Sequence, residues 1–167
     1  MNVRMGSIQL PGPAHQRGMV LLISLVMLLL LTMIGISSMQ NATLQEKMTS
    51  SVQRRNESFQ LAEAALRVGE NAVAVVGYTL AQCTSVVTCQ PPAEATSATA
   101  IVAGTNASSG VTWVAAGTGF YGVQFIGTSN NPVNASTSNA TASLYRVTAV
   151  GTSGTSKSVL ESIYAKW

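Results

Sequence analysis

The residue types that carry most enzyme chemistry are scarce in this chain. It contains no Asp, its one histidine is His15, and its two cysteines are Cys83 and Cys89. A Ser-His-Asp relay, a Cys-His pair and a histidine metal site each need a group that is absent beyond His15. The remaining Glu, Lys, Tyr and Cys residues form no pattern typical of an active site. The sequence therefore predicts a protein that is not an enzyme, with no cofactor and no metal.

Charge is equally sparse. Only 9% of the 167 residues are charged, against about a quarter in an ordinary globular protein, and the net charge is +3. Arg4 and Arg17 lie in the first seventeen positions, and the rest of the chain is close to neutral. Such a surface does not neutralise a row of phosphates, so direct binding of nucleic acid is not expected.

Residues 19–36 are apolar throughout except for Ser24 and Thr32. As a helix these residues would span about 27 Å, close to the roughly 30 Å hydrocarbon core of a bilayer. Basic residues before the segment favour a cytoplasmic N-terminus and export of the rest. The alternative is a cleaved secretory signal. Against it, the run exceeds the usual apolar region of about 7 to 15 residues, and no clean A-x-A site follows.

The helical pattern continues beyond the apolar run. No proline occurs between Pro13 and Pro91, and apolar residues recur at helical spacing after residue 43. We therefore predict one helix over residues 19–76, apolar all round in its first third and amphipathic afterwards. The amphipathic part is expected to pack through one stripe on its own globular domain, and the stripe comprises Leu44, Met48, Val52, Phe59, Ala62, Leu66 and Val73.

Residues 77–167 have the composition of a small β-rich domain. Residues 111–116 and 121–128 contain β-forming residues in short runs, and residues 93–109 and 127–139 have the composition of loops. Residues 144–150 and 157–166 flank Gly151-Thr152-Ser153-Gly154, which predicts a hairpin with a loop of about four to six residues. The expected fold class is α+β, with a small antiparallel sheet packed on the second half of the long helix.

Several strings in the first part resemble the N-terminal domain of PilX-type minor pilins of type IV pili. They are Gln16-Arg17-Gly18 followed by MVLLISLV, then LQEKM, then FQLAEAALR, and the C-terminal LYRVTAVGTSGTSKSVLESIYAKW is similar to the family's terminal hairpin. The resemblance implies a pilin-like fold and a cytoplasmic leader at residues 1–18. It also implies that prepilin peptidase cuts after Gly18 and methylates Met19. The precursor would be a single-pass inner-membrane protein with a periplasmic head, and the mature protein would join a pilus at the cell surface.

One position departs from the pattern that the resemblance implies. Most pilins carry a Glu five residues after the cut, and this chain has Ile23 there. In the family that Glu is thought to pair with the N-terminal ammonium of a neighbour, because an ammonium at a helix N-terminus opposes the helix dipole. A subunit with Ile23 lacks this counter-charge, which favours a position at the tip or in a priming complex. The alternative is that the position simply tolerates an apolar residue.

The cysteines are expected in an oxidising compartment if the predicted orientation holds. A disulfide between Cys83 and Cys89 is then the favoured interpretation. It would close a seven-residue loop and raise the free energy of unfolding by about 2 kcal/mol. A metal site would lack further ligands, and a redox pair usually has C-x-x-C spacing.

Three functions remain open on the sequence. The first is a minor pilin that helps to prime or cap pilus assembly, with prepilin peptidase, other minor pilins, the major pilin and a tip adhesin as partners. The second is a pilus-tip adhesin or surface-binding module that uses the uncharged Ser/Thr/Asn-rich loops. The third is an exported enzyme or a generic anchored periplasmic protein, which the lack of catalytic groups disfavours.

Overall fold

The computed structural model describes residues 17–130 and 141–167 of the chain. The predicted leader up to residue 16, with His15, and most of the predicted loop at 127–139 lie outside the described residues. The elements in chain order are the helices and strands α1 (Arg17–Ala74), α2 (Val86–Cys89), α3 (Glu94–Ser97), β1 (Gly104–Thr105), β2 (Thr112–Ala116), β3 (Gly119–Ser129), β4 (Ala142–Ser153) and β5 (Ser156–Lys166).

Contacts divide the chain into two units, Met1–Met48 and Thr49–Trp167. The described part of the first unit is helical throughout, and every side chain from Gly18 to Met48 is exposed. The second unit contains the rest of α1 and all five strands. It is the only part of the described chain with a buried core.

Helix α1 ends two residues before the predicted boundary at residue 76. Gly77 has φ of +84°, a left-handed conformation that glycine adopts without steric cost, and the amide of Tyr78 donates to the carbonyl of Val75 at 3.1 Å. The Lys166 ammonium donates to the carbonyls of Val73 at 2.9 Å and Val75 at 2.5 Å. A strand residue far along the chain therefore supplies the cation that stabilises the C-terminal end of the helix.

The sheet has five strands in the order β1-β2-β3-β4-β5, and each pair is antiparallel. The predicted α+β, pilin-like architecture is confirmed. The loop between β4 and β5 is shorter than predicted, because Ser153 pairs with Ser156 and only Gly154 and Thr155 form the turn. Gly154 has φ of +56°, which suits a tight two-residue hairpin turn, so Gly151-Thr152-Ser153 belongs to the strand.

Residues 49–74 of α1 pack on the sheet mostly through small side chains. The predicted stripe is confirmed in part: Ala62 and Val73 are fully buried and Leu66 packs on the core. It is wrong at Val52 and Phe59, which are 59% and 49% exposed. Close approach of two backbones explains the difference: a Cβ at Gly151 of β4 would lie 2.3 Å from the amide nitrogen of Ala62. Only small residues fit such a contact. The buried helix face consists of Ser58, Ala62, Ala65, Gly69 and Val73.

Opposite faces of the sheet hold two separate apolar clusters. Val147 and Tyr145 pack with Val73 of α1 in one cluster, and Val150 packs with Trp113 in the other. Residues 147 and 150 point to opposite faces because successive strand residues alternate. The second cluster is covered by the segment predicted as a loop at 93–109, which contains α3 and β1. The only acid of this segment, Glu94, accepts hydrogen bonds from the Ser109 hydroxyl and the Trp113 indole N–H.

Candidate functional site

The residues predicted to be processed lie at the start of α1. Gly18 and Met19 are in its first turn and Ile23 is about one turn further on; Met19 and Ile23 are 66% and 54% exposed. Nothing lies within 4 Å of a Cβ built on Gly18. The first acidic residue of the chain, Glu46, is roughly 40 Å from Met19 along the helix axis. The helix therefore holds no group of its own that could neutralise an ammonium at Met19.

The helix that begins here is long and apolar enough to cross a membrane. An 18-residue window within it has a mean hydropathy of 2.9, and none of that window is buried. Its two polar side chains satisfy themselves, because the Ser24 hydroxyl donates to the Leu21 carbonyl and the Thr32 hydroxyl to the Leu29 carbonyl, both at 2.8 Å. The segment thus offers lipid or neighbouring helices an apolar surface with no unpaired side-chain donor.

In the second unit, α1 also leaves large apolar side chains uncovered. Val52 and Phe59 are seven residues apart, so they lie on the same helix face two turns apart. Both are about half exposed or more, while the face buried on the sheet carries mostly small residues. The helix therefore has one face packed within the chain and another on which large apolar side chains remain accessible.

The two cysteines form a disulfide whose loop is tied to the sheet. Cys83 and Cys89 are bonded, with their Cα atoms 5.2 Å apart, and α2 lies inside the loop. The Arg146 guanidinium donates to the Cys89 carbonyl at 2.6 Å and pairs with Glu161 at 3.1 Å. The Gln124 amide donates to the Thr88 carbonyl at 2.7 Å. These hydrogen bonds attach the disulfide loop to β3 and β4, so the loop has a structural role.

Metal ligands are not brought together in the part of the chain that the structure describes. Within residues 17–130 and 141–167, no group of three His, Cys, Asp or Glu side chains could hold a metal ion.

A cavity of about 460 Å³ is a candidate binding feature that sequence reasoning missed. It lies beside α1 and is walled by β2, β3 and the segment before the disulfide, with Tyr78 and Tyr121 among its lining residues. Burial raises the pKa of the Tyr78 phenol above its usual value of 10.0, and the nearby Tyr121 and Tyr145 phenols add to the effect. Tyr78 is therefore neutral at physiological pH. The sequence signal was weak, because the lining residues come from five separate stretches of the chain.

A long N-terminal apolar helix, packed in its second part against an antiparallel sheet, defines the pilin-like class of α+β proteins. Residues 17–67 match the family described as PilX N-terminal, which covers less than a third of the chain. The match is consistent with a PilX-type minor pilin of type IV pili. Pilins are structural proteins that associate with other pilus components, and the exposed apolar helix fits a membrane anchor. No curated protein and no solved structure matches the chain.

Proposed function

We propose that this protein is a type IV pilus minor pilin that helps to prime or cap assembly. The observation that carries the proposal is an apolar helix segment, exposed along its whole length, within the stretch that matches the PilX N-terminal family. Such a surface needs lipid before assembly and other helices afterwards. The precursor is then a single-pass inner-membrane protein with a periplasmic head, and the mature subunit resides in the pilus.

Maturation is proposed at Gly18. Prepilin peptidase cuts after this residue and methylates the new N-terminus, Met19. Support comes from the Gln16-Arg17-Gly18 string directly before the apolar segment.

The test is mass spectrometry of the N-terminal peptide from cells with and without the peptidase. We expect a peptide that begins at methylated Met19 in the first case, and the uncut chain in the second. A Gly18→Val variant should remain uncut, and Gly35→Val, within the span, is its matched control. A mature N-terminus near Gln40, or maturation that is unaffected by loss of the peptidase, would overturn the proposal.

Ile23 supports a terminal position in the filament. A buried ammonium in an apolar bundle needs a counter-charge, and this chain offers none near its own N-terminus. A neighbour's Glu can neutralise Met19 of this subunit, but Ile23 cannot do the same for another subunit. A further subunit whose N-terminal ammonium needs a counter-charge therefore cannot pack next to Ile23. This restriction suits a subunit at the filament tip or in a priming complex.

Ile23→Glu tests this position, with Ile23→Gln as a polar control without charge. We expect the Glu variant to spread from the filament end into the shaft, as seen by immunogold labelling of isolated pili. The Gln variant should stay at the end. An unchanged location of the Glu variant would show that position 23 merely tolerates an apolar residue.

The partners that we propose follow from the uncovered helix faces. Large apolar residues such as Val52 and Phe59 are left for the helices of other minor pilins and of the major pilin. A large tip adhesin could bind the exposed end of such a complex.

A surface-binding role is the second candidate, and one observation favours it. All the described residues that line the cavity beside α1 are uncharged, which suits a neutral ligand better than an ionic one. Binding of a ligand by the purified protein, with no loss of pili when the protein is deleted, would favour this role over assembly.

A further inference from the structure

The cavity exists because the sheet is wider than the helix that covers it. Strands lie about 4.8 Å apart and a helix with its side chains is about 10 Å across, so one helix covers two or three strands. Helix α1 packs on β3 and β4, where Gly119 and Gly151 approach it closely. On β2 the side chain of Val114 remains 41% exposed and lines the cavity.

One wall of the cavity is formed by aromatic rings that pack against α1 and against another ring of the sheet. A Cβ at Gly69 of α1 would lie 2.9 Å from Cδ2 of Tyr121, so the absence of a side chain at Gly69 gives the ring its position. Phe125, also in the wall, packs on Tyr145 with ring centroids 5.1 Å apart. These rings are fixed before any ligand arrives, which reduces the entropy that binding would cost.

The polar part of the lining lies next to Phe125, because Gln82 forms a bridge to that residue. Within residues 17–130 and 141–167, the side chains of Gln82 and Thr84 make no hydrogen bond. Their backbone is nevertheless fixed, because Gln82 forms a bridge to Phe125 and the Cys83 amide donates to the Phe125 carbonyl at 3.0 Å. A backbone that is fixed at Gln82 and Cys83 therefore presents the Gln82 amide to the cavity, and the Thr84 hydroxyl follows directly after it.

Among residues 17–130 and 141–167, no charged residue lines this cavity, although Glu94 and Arg146 are close in the fold to its polar members. An ionic ligand would lose hydration without gaining a counter-charge. A purely apolar ligand would leave Gln82 and Thr84 hydrogen-bonded to water alone. A sugar ring fits both kinds of lining group, since its C–H face packs on an aromatic ring and its hydroxyls exchange hydrogen bonds with amide and hydroxyl groups.

We propose that the cavity binds a neutral saccharide of one or two rings, with Tyr121 under the sugar face and Gln82 and Thr84 on its hydroxyls. The volume of about 460 Å³ lies in the range of small-ligand sites, about 300 to 1,000 Å³. The inference deepens the surface-binding candidate and does not rest on the pilus role. Uncut protein, made without prepilin peptidase, is expected to bind equally well.

The experiment uses the full chain in a polyoxyethylene detergent, because a maltoside detergent would itself present a neutral sugar. Maltose, chitobiose, N-acetyllactosamine and sialylated N-acetyllactosamine are the probes. Saturation-transfer difference NMR and calorimetry measure binding. We expect at least one neutral sugar to bind with a Kd on the order of 0.1–1 mM, which is typical of a small site with few polar contacts.

Val114→Glu places a charge in the cavity wall at a position that is already 41% exposed, so the fold should tolerate it. We expect affinity to fall at least tenfold, whereas Val86→Glu, 76% exposed and outside the cavity, should leave it unchanged. Gln82→Ala should weaken binding about fivefold. The proposal is overturned if no neutral sugar binds at 10 mM, if Val114→Glu binds normally, or if an apolar peptide displaces the sugars at lower concentration.

Discussion

Two stretches of α1 use apolar surface in opposite ways. Residues 19–36 carry large aliphatic side chains on every face, and all of them are exposed. Residues 58–73 bury only one face, and that face carries Ser58, Ala62, Ala65, Gly69 and Val73. Large apolar residues occur on both surfaces of this helix, since Val73 and Leu66 pack on the sheet while Val52 and Phe59 stay exposed. Size and hydropathy alone therefore do not identify the surface that packs inside the chain.

The difference has a physical basis in how closely the backbones approach. Where α1 meets β4, the backbone of Gly151 lies against the backbone of Ser58 and Ala62, so packing energy comes from many short contacts between small groups. Residues 19–36, the upper stretch of the helix, pack on no other element of the described chain. Its stability depends on lipid or on other helices, and perturbations of the two stretches should have separate consequences.

Gly151→Ala should have the largest effect. The new Cβ would lie 2.3 Å from the Ala62 nitrogen and from the Ser58 carbonyl oxygen, and backbone atoms cannot move aside unless helix and sheet separate. We expect the second unit, Thr49–Trp167, which is called the head below, to lose at least about 3 kcal/mol of unfolding free energy. Chemical denaturation followed by fluorescence of Trp113, which is 2% exposed, measures the loss.

Gly35→Ala is the matched control for this substitution. Nothing lies within 4 Å of a Cβ at Gly35, so the change adds only helix propensity of about 1 kcal/mol to the upper stretch. The head's unfolding curve should not move. Equal effects of the two substitutions would contradict the distinction between the stretches.

Leu28→Arg should have the next largest effect, and it acts on the other stretch. A charge near the middle of residues 19–36 costs about 2.5 to 3.5 kcal/mol of membrane insertion. We expect a marked fall in the fraction of chain that resists alkaline carbonate extraction from membranes, with the head's denaturation unchanged.

Val52→Arg is the control outside residues 19–36, at a position of α1 that is 59% exposed. It should leave insertion intact. If the two variants are extracted equally, residues 19–36 are not the membrane-spanning stretch.

Replacement of both cysteines by serine should have a moderate effect, confined to the head. The disulfide closes a loop of seven residues, which corresponds to about 2 kcal/mol of stability. Chemical denaturation should show this loss, and reduction of the wild type with dithiothreitol should reproduce it. Dithiothreitol should not change the double variant. A loss of membrane insertion in the double variant would contradict the assignment of the disulfide to the head alone.

Periodicity and composition predicted the elements whose signal is local. The apolar run, the absence of proline between Pro13 and Pro91 and the two runs that flank Gly151-Thr152-Ser153-Gly154 are enough for α1, β4 and β5. The PilX-like strings predicted the family that residues 17–67 match. Each of these features can be recognised from neighbouring residues alone.

The packing face and the cavity could not be predicted in the same way. Gly69 and Gly151 look like ordinary weak points in a helix and a strand, and their role appears only when two backbones meet. The predicted stripe was wrong at Val52 and Phe59 for this reason. The cavity depends on how far one helix reaches across five strands, which no local pattern encodes.

The smallest predicted effect is the pH dependence of stability, which should differ between the apolar segment and the folded second unit because only the latter contains a titratable group with a raised pKa. Residues 19–36 contain no titratable side chain, so insertion should not vary between pH 7 and pH 11. In the head, burial raises the pKa of the Tyr78 phenol above 10.0, with Tyr121 and Tyr145 adding to the rise. The folded state then keeps its proton where the unfolded state has lost it. The resulting stability is therefore complete below about pH 10 and declines as the pH rises towards the folded pKa.

Tyr78→Phe tests this contribution directly. The ring and its edge contact with Tyr145, 5.7 Å between centroids, are retained, and only the hydroxyl is removed. The Lys166 ammonium lies 5.7 Å from the Tyr78 ring centroid in the wild type, and the variant retains Lys166, so the difference between the two stability curves isolates the phenol. We expect the curves to run parallel from pH 7 to pH 9 and the wild type to fall more steeply above pH 10. Parallel curves up to pH 11 would show that the Tyr78 hydroxyl titrates alike in the folded and unfolded chain.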